Sequence, residues 1–150
     1  MKTGTFQFVK LTTWEEMIQQ YPLLQQLTPN LTFESYAQYL RDMIPHNYFQ
    51  VSISERDISV GLSGYWIATK LYCGKYLEID NFIIDATHRS KGIGSALLDW
   101  LEAEALRNGC VTMMLDAYVE NFRAHQFYYR NHFIARGFHY IRKINATQEG

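Results

Sequence analysis

The sequence has few of the residues that staple small or secreted proteins together. Its two cysteines, Cys73 and Cys110, lie in separate segments of 150 residues, which argues against a disulfide scaffold. With three prolines and nine glycines, the chain offers no linker and no low-complexity tract, and no internal repeat is visible. Charge of one sign is not in excess. Fourteen Lys and Arg stand against 15 Asp and Glu, a formal net charge of -1. No basic surplus points to nucleic acid and no polybasic run to an anionic membrane. No apolar stretch approaches the roughly 20 residues of a membrane span. The opening MKTGTFQFVKLTTWEEM lacks the apolar core of a signal peptide, so a cytoplasmic location is expected. Asn145 heads a formal glycosylation triplet, which carries no weight without a secretion signal.

What is present fits one globular domain over residues 1–150. At that length a fold buries roughly 70% of its unfolded surface. The 47% hydrophobic and 19% charged residues are those of a packed domain. Aromatics reach 15%, enough for a dense core or a lined pocket.

The periodicity alternates between strand and helix. TFQFVKL reads as a first strand. A capped helix follows from Thr12–Thr13, with Pro22 interrupting it or starting a second piece. Thr32 is a candidate N-cap for a helix carrying Tyr36, Tyr39, Leu40 and Met43. YFQVSISE, ISVGLSGYWIATKLY and YLEIDNFIID form a meander, with ERD and GKY as turns. In the third of these strands Leu77 and Ile79 hold one parity, Phe82 and Ile84 the other. A β-bulge near Asp80 or Asn81 would bring all four to one face; a central strand buried on both sides is the alternative. A long helix then carries Leu97, Leu98, Leu101 and Ala105 in a stripe and ends at Gly109, a C′ glycine. CVTMMLDAY is a strand, NFRAHQFYYRNHF a helix with Asn121 as a possible N-cap, and IARGFHYIRK a last strand. The order β-αα-βββ-α-β-α-β defines an α/β fold, a mixed β-sheet flanked by helices.

Between the third meander strand and the long helix lies THRSKGIGS. The first N–H groups of a helix have no internal partner, and the helix dipole favours an anion there. Gly92 and Gly94 let a phosphate approach the backbone; Arg89 and Lys91 add charge, and Ser95 a hydroxyl. The turn reads as a pyrophosphate cradle or as plain strand–helix punctuation. A P-loop would need a Gly-Lys-Ser/Thr end, which is absent. A dinucleotide fingerprint would need a third glycine where Leu97 stands.

The remaining pattern is R-x-x-G-x-G, Arg89-Ser90-Lys91-Gly92-Ile93-Gly94. With FIIDATHRSKGIGSALLDWLEAEALRNGC around it, it resembles the coenzyme A pyrophosphate motif of the GNAT family of acetyl-coenzyme A-dependent N-acetyltransferases. Downstream, LDAYVENFRAHQFYYRNHF is similar to that family's N-x-x-A-x-x-F-Y segment, through Asn121, Ala124, Phe127 and Tyr128. The resemblance is at motif level from about Leu77 to Phe133 and topological elsewhere. The family's usual Gly-Phe after the tyrosine is replaced here by His132-Phe133.

The resemblance implies a GNAT-like fold and acetyl-CoA as cosubstrate. It implies that Phe82, Ile83 and Ile84 bind the pantetheine arm in a splay between two parallel strands, the backbone of Phe82 and Ile84 meeting the arm and the acetyl carbonyl. A preorganised donor of that kind is worth about 2.7–4 kcal/mol of barrier. It places the pyrophosphate on the amides of Ser90, Lys91, Gly92, Ile93, Gly94 and Ser95. Asn121 is either a coenzyme contact or only an N-cap. Tyr128 is the candidate proton donor to the departing thiolate, or a packed core residue, with Tyr129 as a competitor. Glu78 and Asp80 share a strand parity and are the candidate bases, Glu78 ranked first from its relatives. Tyr36, Tyr39, Tyr48 and Glu34 either line an acceptor pocket or pack in the core, the second being favoured.

No metal is expected. His125 and His132 lie seven apart without a third ligand. The G-x-S-x-G of hydrolases is absent. The expected activity is transfer of acetyl to a primary amine of a small molecule. A protein or peptide acetyltransferase, or a non-catalytic coenzyme A-binding module, would carry much the same motifs. No nucleic acid or membrane partner is expected; a homodimer through the C-terminal strand is possible.

Overall fold

The computed structural model describes residues 6–89 and 91–145. They divide into two compact units at Leu115/Asp116. Among the described residues no helix is long and apolar enough to cross a membrane.

The first unit holds strand β1 (Phe6–Leu11), helices α1 (Trp14–Ile18), α2 (Tyr21–Leu27) and α3 (Phe33–Met43), strands β2 (Tyr48–Glu55), β3 (Ile58–Lys70) and β4 (Gly74–Ile84), helix α4 (Ile93–Arg107) and strand β5 (Thr112–Leu115). The sheet order is β1-β2-β3-β4-β5. The first four strands pair antiparallel, whereas β5 joins β4 in parallel. The architecture is α/β with a mixed five-stranded sheet and flanking helices, as the sequence order predicts.

Local chemistry sets the boundaries. Thr13 caps α1 in a full capping box with Glu16. Pro22 stands in the first turn of α2, where its missing N–H costs nothing. Thr32 accepts from Ser35 N at the start of α3. Arg56 and Asp57 join β2 to β3 at φ 51° and 65°, the two left-handed residues of a type I′ hairpin. The next turn is Leu71–Cys73 rather than GKY, since Gly74 already begins β4. Gly109 closes α4 at φ 73°, with Cys110 N bonded to Ala105 O, the Schellman geometry expected of a C′ glycine.

One sheet face carries Leu11, Tyr48, Leu62 and Ile83, packed with Met17, Leu23, Leu24, Tyr36 and Leu40 of α1–α3. Full burial of such aliphatic side chains stabilises by about 1.5–3 kcal/mol each. The other face meets α4. There Tyr65 Oη donates to Glu104 Oε2 at 2.7 Å, and Lys10 Nζ lies 2.7 Å from the same oxygen. Glu104 is buried, and Arg107 bonds its second oxygen at 3.0 Å.

The second unit contains α5 (Phe122–Arg130). The last strand expected over IARGFHYIRK is not formed: residues 134–143 make no ladder. Ile134, Phe138, Tyr140 and Ile141 are exposed. Alternating β-formers supply propensity, but a strand exists only where another strand completes its hydrogen bonds and covers a face.

Candidate active site

The parity slip in β4 is a bulge. Gly64 pairs with Asp80 and Leu62 with Ile83, so two β4 residues, Asn81 and Phe82, stand against one β3 residue. Asn81 sits at φ 51°, a conformation Asn tolerates better than most residues. Ile67, Tyr65 and Gly61 share one face of β3, and their partners are Leu77, Ile79 and Ile84. The extra residue therefore brings Leu77, Ile79, Phe82 and Ile84 to the α4 face. Glu78, Asp80 and Ile83 turn toward α1–α3.

Directly at the bulge the sheet opens. The β4–β5 ladder ends at Ile79↔Leu115, while β4 continues to Ile84. From Asp80 to Ile84 the β5 side of the strand has no ladder partner among the described residues. A strand edge that runs on past its neighbour is a template for an extended amide-bearing chain. Ile83 is a core residue and pairs with Leu62 of β3. Phe82 and Ile84 are partly buried.

Beyond β4 the chain makes a short 3-10 turn, Ala86–His88, and reaches α4. Asp85 caps that turn through Thr87 N and also accepts from Thr87 Oγ1. Its carboxyl is held well below the usual carboxylate range, first by the Gln26 hydrogen bond and then by Thr87 and His88. Gln26 of α2 donates to Asp85 Oδ1 at 2.8 Å and accepts from Ala86 N at 3.3 Å. The helical layer is thereby tied to the turn, a link sequence reading missed. Arg89 Nε donates back to Ile84 O at 3.2 Å. Ser90 lies outside the described residues. Gly92 is the N-cap of α4 at φ 78° and lends no side-chain cap. Lys91, Gly92 and Ser95 are exposed. The cap leaves the amides of Ile93, Gly94 and Ser95 pointing out of the first turn of a 15-residue helix, a geometry suited to an anion.

On the helix-side face, Glu78 lies opposite Trp66 and Asp80 opposite Gly64. Both oxygens of Asp80 already accept hydrogen bonds, from Trp66 Nε1 at 3.0 Å and from Asn81 N at 2.9 Å. Glu78 is partly buried. Tyr36 and Tyr48 are buried in the core, while Tyr39 and Glu34 are exposed. Asn121 and Tyr128 belong to the second unit. Asn121 Oδ1 accepts from Ala124 N at 3.1 Å, the N-cap role. Burial pushes the Tyr128 phenol up to about 12. Among the described residues no group of three His, Cys, Asp or Glu could hold a metal ion.

The profile of the acetyltransferase (GNAT) family matches residues 11–133. The chain belongs to the GNAT family. It is an acetyl-CoA-dependent N-acetyltransferase, as its motifs imply. It is 29% identical to an uncharacterised N-acetyltransferase of Bacillus subtilis strain 168, YhdJ, over 79% of this chain and 84% of that protein. Its fold is that of glucosamine-6-phosphate N-acetyltransferase from Arabidopsis thaliana, with TM-score 0.71, 22% identity, and 94% and 99% of the two chains covered. It is also that of an aminoglycoside acetyltransferase, meta-AAC0020, from an uncultured soil metagenomic sample. There the TM-score is 0.82 with 14% identity, covering 97% and 100% of the chains.

The residues present fit the GNAT cosubstrate: an opened strand edge for an extended arm and an uncapped helix start for a pyrophosphate. The departure from the family's Gly-Phe also has a structural answer. His132 takes φ 71°, the left-handed C′ position a glycine would fill. Phe133 N bonds Tyr128 O at 3.0 Å and His132 N bonds Tyr129 O at 3.1 Å, completing a Schellman motif without glycine. The Phe133 ring packs edge-on to Tyr128 at 5.6 Å, which fixes the tyrosine at the end of α5.

Proposed function

We propose that the protein acetylates a primary amine of a small molecule by direct transfer, within one domain that takes in both units. The family match runs through Leu115 without a break, which supports the single domain. The observation that carries the site is the Asn81 bulge: it falls where β4 runs on past the end of β5, and it returns Phe82 and Ile84 to the face of Leu77 and Ile79. Solved structures of the same fold include acetyltransferases of glucosamine-6-phosphate and of aminoglycosides, which favour a small amine, beside one of ribosomal-protein alanine, which favours a peptide.

Acetyl-CoA supplies a thioester-activated acetyl group. The chain's part is to bind, orient and move protons. The β4 backbone at Phe82 and Ile84 holds the arm and donates to the acetyl carbonyl. The first-turn amides of α4, with Lys91 and Arg89, hold the pyrophosphate. Glu78 takes the amine proton, directly or through water. Asp80 is the second candidate. The amine nitrogen bonds to the acetyl carbon, the carbon–sulfur bond breaks, and Tyr128 Oη returns a proton to the sulfur.

The deciding experiment is thiol release from acetyl-CoA over a panel of amino sugars, polyamines, aminophosphonates, amino acids and short Lys peptides. Turnover on a small amine is expected. Turnover on the peptides alone would overturn the small-molecule reading. For the cradle, Gly94→Trp puts an indole at the second position of α4. Acetyl-CoA affinity, measured by calorimetry, is expected to fall at least about 10-fold, or about 1.4 kcal/mol, with the melting temperature retained. Unchanged affinity would remove the pyrophosphate from this turn.

A further inference from the structure

A chain of buried side chains links the helical layer to the bulge. Tyr48 stands on β2 and Asn81 on β4, with β3 between them. The Tyr48 phenol crosses β3 over Gly64. A Cβ at that glycine would lie 2.2 Å from Tyr48 Oη and 2.8 Å from two ring carbons, so no other residue leaves the passage open. On the far side Tyr48 Oη donates to Asn81 Oδ1 at 2.9 Å.

Behind Tyr48 the directions of the hydrogen bonds are fixed. Gln50 Nε2 donates to Tyr48 Oη at 3.2 Å and to Tyr36 Oη at 3.0 Å. Tyr36 Oη in turn donates to Met17 O at 2.6 Å, at the end of α1. Each phenol spends its single hydrogen elsewhere, so only the amide nitrogen of Gln50 can face both. That leaves Gln50 Oε1 buried without a hydrogen-bond partner. An orphaned buried acceptor destabilises a fold, so a network that carries one is explained better by placement than by stability. Burial pushes both phenols up, Tyr36 to about 12, which keeps them protonated donors through the working pH range.

We propose that Tyr48 is a positioning residue for the transfer reaction. Through Asn81 it fixes the bulge that aims the Phe82 amide, and through Gln50 and Tyr36 it ties that bulge to the end of α1. The function of the bulge rests on the reading given above. Asn81 is held from two sides: Tyr48 grips its side chain, while Asp80 Oδ1 accepts from its amide. Without the first grip a left-handed non-glycine residue has less to hold it, and the amide that follows loses its aim.

The test is Tyr48→Phe, which keeps the ring and removes the hydroxyl. Turnover is expected to fall about 10-fold or more while KM for acetyl-CoA stays within about 2-fold. Isotope-edited infrared spectra of bound acetyl-CoA labelled at the acetyl carbonyl give a second readout. The carbonyl band, lowered on binding to the wild type, is expected to move back toward its free position. Asn81→Gly, which removes the acceptor and lets the backbone leave the left-handed region freely, is expected to match Tyr48→Phe, and the double variant to be no worse than either. In the free protein, hydrogen exchange at the Asn81 and Phe82 amides is expected to quicken in both variants. A fall in turnover with an unmoved carbonyl band, or additive losses in the double variant, overturns the proposal. Unchanged exchange overturns it whether or not acetyl-CoA binds. Failure of the wild type to bind acetyl-CoA would instead sink the reading of the site.

Discussion

Tyr128→Phe is expected to lower turnover by roughly 10²–10⁴-fold, the range for a positioned general acid, with acetyl-CoA affinity unchanged. In the mechanism proposed above the phenol is the proton source for a leaving thiolate, and removing it leaves water to do that work. Burial, which pushes its pKa up to about 12, sets the pH dependence. A group raised in this way is protonated at every pH well below 12, so the wild type should show no alkaline loss of turnover from this residue between pH 7 and 10. An acid at the reference phenol value of about 10 would be half deprotonated at pH 10. The measurement is kcat against pH for the wild type and for Tyr128→Phe and Tyr129→Phe. The neighbouring Tyr129 ring is exposed, and its replacement is expected to leave turnover in place. Full activity in Tyr128→Phe, or loss confined to Tyr129→Phe, would move the acid.

Glu104→Ala is expected to cost about 2–4 kcal/mol of stability. The larger share is the Tyr65 hydroxyl, buried and left without its acceptor, at about 1–3 kcal/mol. Lys10 and Arg107, whose side chains are 36% and 55% exposed, return to water, so their ion pairs add at most about 1 kcal/mol each. For a chain of this size the melting temperature should drop by on the order of 10 °C. Burial pulls the Glu104 carboxyl up, but the hydrogen bonds from Lys10, Tyr65 and Arg107 together outweigh it and hold its pKa below the usual value. A lowered native pKa contributes stability above the unfolded glutamate value, about 4.3, and loses it as pH falls through the native one. The gap between wild type and variant is therefore expected to be full at neutral pH and to narrow below about pH 4. Denaturant melts across pH 3–8 would show this, and a gap independent of pH would refute the charged role.

The sequence alone marked most of what neighbours along the chain govern. The parity slip at Asp80–Asn81 left two alternatives, a bulge or a strand buried on both sides, and the pairing with β3 decided for the bulge. Gly92 and Gly109 marked the two ends of α4, because each stands where the backbone turns left-handed. Tertiary structure decided the rest. Glu104 falls on the apolar stripe of α4, but which cations and phenol meet it depends on β1 and β3. The crossing of Tyr48 over Gly64 joins residues 33 positions apart, and no local pattern encodes that path. The alternating residues from Ile134 to Lys143 form no strand. Hydrogen-bond partners and covered faces come from other parts of the fold, whereas periodicity reports only what a segment would do if they were supplied.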